Sequence, residues 1–279
     1  MATNIYLANT NYFTPGASDT YTLKNTPTTI DAADTLIINT GQTLIIKDTK
    51  KLQIKGSLEN SGTVTVNTGC DCYAEDGGVI DNKEGANISV SGELYSIYAG
   101  SKIENSGTIT VKSGGDCFAQ DGGEINNNKT ITVESDGQCN AWEGGVINNN
   151  DKAKIDVKGY LYSSGINSND TPSTINNSGT ITVNSGGQCY AEDSGEINNN
   201  KTITVKCDGK LFKQTGGVIN NSGTIINEPC QPPPIGAAAA RMHRPVFANN
   251  ALVFYKSHSG SSSTGSGGVG NSRFKRRKT

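Results

Sequence analysis

Apolar positions along this chain fall in short alternating runs, not in a helical stripe. Pieces of the form T-I-T-V, C-Y-A and G-x-I-x-N follow one another, with Gly, Ser, Asn and Asp between them. A period of two puts every second side chain on the same face, so each piece reads as a short β-strand with one buried side. The units recur. GTITVKSGGDCFAQDGGEINNN (107–128) and GTITVNSGGQCYAEDSGEINNN (179–200) are the cleanest copies. The first apolar residue of each unit is Val64, Ile88, Ile109, Ile131, Ile155, Ile181, Ile203 and Ile225, most often 22 residues apart. A second column is Ile80, Ile103, Ile125, Ile147, Ile175, Ile197 and Ile219. Three strands and three corners per turn predict an all-β fold, a parallel β-solenoid (β-helix) whose expected hand is right.

Stacking the units turns the repeat into columns. Cys72, Leu94, Cys117, Cys139, Leu161, Cys189 and Leu211 form one; two places later come Ala74, Ser96, Ala119, Ala141, Ser163, Ala191 and Lys213. Residues i and i+2 share a face, so these columns predict the interior of a narrow coil, with Lys213 at a fraying or capped end. Asn82, Asn105, Asn127, Asn149, Asn177, Asn199 and Asn221 form an asparagine column. It predicts left-handed corner backbone and side-chain ladders between coils. The residue after each interior Cys or Leu faces outward: Tyr73, Tyr95, Phe118, Asn140, Tyr162, Tyr190 and Phe212. This aromatic strip has three readings: stacking that stabilises the coil, a contact strip for a partner protein, and a platform for sugar rings. The repeat divides the chain into an extended capping segment (1–34), the solenoid (35–227) and a tail (228–279). An insertion at Ser163–Thr174 is expected to protrude as a loop.

Composition narrows the function. Hydrophobic residues are 33% and aromatics 6% of 279 residues, too few for a conventional thick core. No apolar run is long enough to span a bilayer, and the opening MATNIYLANTNYF lacks the basic and apolar regions of a secretory signal, so an unsecreted protein is expected. Four of the seven Cys exchange with Leu in the interior column, so they read as small hydrophobes and reduced thiols. Cys70-x-Cys72 is a weak metal signal, and no metal or other cofactor is expected. Acidic residues recur at one corner as Glu75-Asp76, Asp121, Glu143 and Glu192-Asp193. A ladder of carboxylates is not the unique constellation that glycoside cleavage needs, so no catalytic residue is assigned and no enzyme is expected.

The net charge of −2 conceals a split: residues 231–279 hold eight Lys/Arg and no Asp/Glu, leaving −10 on the rest. An acidic body with a basic tail points to an acidic partner for the tail. Glu228-Pro-Cys-Gln-Pro-Pro-Pro234 ends the solenoid, since Pro cannot donate to a strand ladder. A Ser/Gly tract then leads to Arg273-Phe-Lys-Arg-Arg-Lys278. The segment VFYKSHSGSSSTGSGGVGNSRFKRRKT (253–279) resembles the C-terminal signature of structural proteins in the large icosahedral DNA viruses of algae, the chlorovirus group. Tyr255, Lys256, His258, Ser259, Gly267, Gly268, Val269, Gly270, Asn271, Ser272, Arg273, Lys275, Arg276 and Arg277 carry the match, and the insert SSSTGS departs from it. The resemblance implies a minor capsid protein, made and assembled in the host cytoplasm and held in the virion. Its implied partners are the major capsid protein and other minor capsid proteins. The tail anchor would be Tyr255, Lys256, His258, Arg273, Lys275, Arg276, Arg277 and Lys278, with nucleic-acid or inner-membrane contact left open. Two rivals stand beside this: an adhesin that binds host-cell glycans through the aromatic strip, and a β-helix polysaccharide lyase or hydrolase.

Overall fold

The computed structural model describes residues 2–230, and these build the predicted solenoid. Thirty strands and no helix occur among the described residues. They form three parallel sheets of 10, 9 and 11 strands. The chain visits each sheet once per coil, and like residues pair across coils: Ile109 with Ile131, Cys117 with Cys139, Ile125 with Ile147. Successive coils lie about 4.8 Å apart, the spacing of hydrogen-bonded strands. The sheets are named here for their outward or capping columns. T-I-T-V pieces such as Thr108–Val111 make a threonine sheet, C-Y-A pieces such as Asp116–Gln120 an aromatic sheet, and G-x-I-x-N pieces such as Glu124–Asn127 an asparagine sheet.

Burial follows the columns. Leu94, Cys117, Cys139, Leu161 and Cys189 are sealed inside, as are Ala74, Ser96, Ala119, Ala141, Ser163 and Ala191. At the last coil Leu211 is half-buried and Lys213 is exposed. Corner glycines make the stacking tight. A Cβ built on Gly145 would lie 2.0 Å from the Ala119 carbonyl oxygen of the preceding coil, closer than any real contact. That glycine is needed for close approach of backbone to backbone; it does not have a left-handed φ.

Three expectations are revised. Residues 1–34 are more than a cap: Asn4–Tyr6, Thr20–Leu23 and Thr28–Ile30 pair in parallel with Thr35–Ile38, Thr43–Ile46 and Lys51–Ile54, so they also supply the first coil. Phe13–Pro15 pairs antiparallel with Thr20–Leu23 and forms the outer edge of its sheet. Phe13, Ile5 and Leu23 close the interior at this end. The asparagine column is extended, not left-handed; the positive φ values belong to corner residues such as Asp76, Asp121, Glu143 and Asp193. Finally, not every thiol is free. Cys207 and Cys230, one coil apart, form a disulfide with Cα atoms 4.6 Å apart. The interior cysteines Cys72, Cys117, Cys139 and Cys189, and the buried Cys70, are unpaired.

The insertion is a stitched loop. Ile166 and Pro172 pair across it, and the Ser173 hydroxyl donates to the Ser164 carbonyl at 2.7 Å while accepting the Gly144 N–H at 2.9 Å.

Candidate functional surface

The asparagine column is the polar spine of the fold. Asn60, Asn82, Asn105, Asn127, Asn149 and Asn177 each donate an Nδ2 hydrogen to the Oδ1 of the next Asn, at 2.7–2.8 Å. The second hydrogen goes to a backbone carbonyl of the following coil, as from Asn105 to Thr130 at 2.9 Å. These side chains are buried, so the ladder satisfies amide groups that would otherwise be costly. A second ladder lies on the outer face and runs the other way: Asn220, Asn198, Asn176, Asn148 and Asn126 donate back toward earlier coils. The function of the asparagines is structural.

The aromatic strip is two stacks, not one ladder. Tyr73, Tyr95 and Phe118 stack at centroid spacings of 4.8 and 4.6 Å, nearly parallel. Tyr162, Tyr190 and Phe212 stack at 5.0 and 5.2 Å. Asn140 separates them; it is buried, and its amide donates to Asp116 Oδ1 at 2.9 Å. The Tyr162 hydroxyl donates to Gln138 Oε1 at 3.2 Å. All six rings are half-buried. Because each inner ring has neighbours on both sides, its faces are used within the stack and mainly its edge meets solvent. A sugar ring packs on an aromatic face, so this arrangement favours the stabilising and protein-contact readings over sugar stacking.

The carboxylates that follow the strip stand on a corner with its own backbone ladder. Tyr98 N–H donates to Gln120 O at 3.2 Å, Asp121 to Glu143 O at 3.1 Å, Glu143 to Ser164 O at 3.1 Å and Gly165 to Asp193 O at 3.0 Å. Asp121 and Glu143 in successive coils, and Asp193 two coils further on, with Gly165 between, have left-handed backbone. Burial, then the neighbouring charge of Glu143, raises the Asp121 pKa; burial and Asp193 do the same for Glu192. Asp116, beside the strip, is pushed up to about 7 by burial and then by Glu93, against the opposing hydrogen bond from Asn140.

This corner also carries exposed apolar groups that the columns do not announce. Tyr98 is 48% exposed, Trp142 40% and Ile166 41%. Tyr98 and Ile166 stand where the repeat is irregular, and Trp142 takes a place that is Gln120 in the preceding coil, so no column flags any of them.

Thiol chemistry finds little support. Burial pushes Cys72 and Cys189 to about 12, so the thiolate needed for attack or ligation is scarce at neutral pH. Among the described residues Cys207, Asp208 and Cys230 bring ligand atoms within 4.8 Å of one another, but the two sulfurs are bonded together. The tail residues Tyr255, Lys256, His258, Arg273, Lys275, Arg276, Arg277 and Lys278 lie outside the described residues.

No family model matches the chain, and no curated protein matches it. Among solved structures, it is similar to the crystal structure of a TibC-catalysed hyper-glycosylated TibA fragment. The two share 18% identity over 81% of this chain and 100% of that one, with a TM-score of 0.19. The assignment of the β-solenoid rests on the strand register above and not on that likeness.

Proposed function

We propose that the chain is a non-enzymatic structural component of a viral particle, a minor capsid protein. Its solenoid is a rigid module and its basic tail is the anchor. The observation that carries the structural half is the double hydrogen-bonded Asn spine, running coil to coil from Asn60 to Asn221 and fully buried along most of its length. Such a spine spends polar groups on rigidity and leaves them no chemistry to perform. The carboxylates support the same reading, because they recur at one corner of several coils, as Asp76, Asp121, Glu143 and Asp193, and form a ladder instead of a unique constellation. The viral half is supported by the resemblance of residues 253–279, with Tyr255, Lys256, Arg273 and Arg276 among the matched positions. A basic tether with a rigid body gives attachment by electrostatics and presentation by shape.

Particles carrying the full chain, compared with particles carrying a chain that lacks 236–279, test this. The full chain should remain after a high-salt wash and the truncated chain should be lost. Retention of the truncated chain, or absence of the full chain from washed particles, overturns the proposal.

A further inference from the structure

The outward side of the aromatic sheet and its exit corner is a surface with two properties at once. It exposes large apolar side chains: Tyr98, then Trp142 two coils later and Ile166 one coil after that. It also carries Asp121, Glu143, Glu192 and Asp193 along the same corner, and none of these four forms an ion pair with a lysine among the described residues. Elsewhere carboxylates do find lysines. Glu75 and Asp76, on the same corner two coils earlier, share Lys55 at 3.4 and 2.8 Å, and Lys112 meets Glu134 at 2.8 Å. Four carboxylates thus share this corner with no lysine ion pair among the described residues, on a body whose other acids are only partly neutralised. Burial first, and then the neighbouring carboxylates Glu143 and Asp193, raise the pKa values of Asp121 and Glu192.

The complement is present in the same chain. Residues 231–279 hold eight Lys/Arg and no acid, and Arg273-Phe274-Lys275-Arg276-Arg277-Lys278 interleaves cations with an aromatic ring. Any six-residue stretch can reach at most about 20 Å, and five coils at about 4.8 Å spacing cover about the same distance. Guanidinium groups suit both carboxylates and exposed aromatic faces. We infer that this acidic, aromatic corner is a docking surface for the basic tail of a second copy of the chain. The inference rests on the structural role proposed above, and the opposite charges of corner and tail argue for a second copy as the occupant. The contact is heterologous, one copy's tail on the next copy's corner, so it builds a row or a ring.

Sedimentation velocity on the full chain tests the inference without particles, so its failure leaves the particle test untouched. At about 50 mM salt the sedimentation coefficient should rise with protein concentration, and at about 500 mM it should return to the monomer value, as screening of exposed charges requires. A corner variant (Asp121→Asn, Glu143→Gln, Asp193→Asn) and a tail variant (Arg273→Glu, Arg276→Glu, Arg277→Glu) should each self-associate at least tenfold more weakly. The tail variant leaves the solenoid sequence intact, so it reports even if the corner variant misfolds. Mixing the two should restore a one-to-one complex, since one supplies a good tail and the other a good corner. A monomeric wild-type chain at low salt overturns the inference. So does association that the tail variant retains.

Discussion

Replacing Asn127 by Ala is the sharpest test of the spine. Asn127 Nδ2 donates to Asn149 Oδ1 at 2.8 Å and to the Lys154 carbonyl at 3.0 Å, and its Oδ1 accepts from Asn105 Nδ2 at 2.8 Å. The residue is fully buried. Alanine leaves an orphaned amide hydrogen on Asn105 and an orphaned oxygen on Asn149, both shut off from water. Each buried group without a partner costs about 1–3 kcal/mol, and the space left by the amide adds to it. The expected loss is about 3–5 kcal/mol. Asn148 is the internal control. It is the next residue to Asn149, it is the same residue type, and it bonds Asn126 and Asn176 at 2.8 and 2.9 Å. But it stands on the half-exposed outer ladder, where water replaces a lost partner, so Asn148→Ala should cost below about 1 kcal/mol. Urea unfolding followed by far-UV circular dichroism compares the two. Hydrogen exchange checks that the loss at Asn127 extends to the coils above and below, as nearest-neighbour stacking demands. Equal costs for the two variants would refute the claim that the buried ladder, rather than the strand pairing alone, holds the coils in register.

Other outcomes follow from the same geometry. Gly145→Ala forces a Cβ to within 2.0 Å of Ala119 O and should cost more than about 3 kcal/mol or abolish soluble expression, whereas Gly114→Ala, with open space around it and φ of 76°, should cost about 1–2 kcal/mol; thermal melts separate them. Asp116 has its pKa raised from 3.8 to about 7, so the fold prefers the protonated carboxyl: the stabilising share is whole below about pH 4 and is lost as pH rises through about 7. Unfolding titrations across that range should show wild type losing stability while Asp116→Asn stays flat; parallel curves contradict the assignment. Non-reducing peptide mapping should find Cys207 joined to Cys230, and the five remaining thiols should resist alkylation until denaturant is added.

The interior was readable from sequence because a 22-residue repeat and a two-residue alternation leave few registers, and a one-residue slip would expose a whole column. Cys117, Leu161 and Ala141 lie where their columns place them. The asparagine ladder was readable as a column, but its backbone was not: Asn ends each strand in extended conformation, while the left-handed corners fall to Asp121, Glu143 and Asp193. Both residue types tolerate that conformation, so type alone does not decide. The first coil escaped because its strands, such as Asn4–Tyr6, share no repeat signature with the rest. The disulfide escaped because Cys207 and Cys230 belong to no column, and only the coil pitch brings them together. Tyr98, Trp142 and Ile166 gather at one corner for the same reason.

Cross-linking mass spectrometry on purified, high-salt-washed particles tests the central claim most directly, with Lys256, Lys275 and Lys278 as reporters. The account predicts cross-links from these lysines to capsid proteins, with links to acidic corners of other copies alongside. Washed particles that lack the chain, or that hold it with no tail cross-link to any capsid protein, would contradict it.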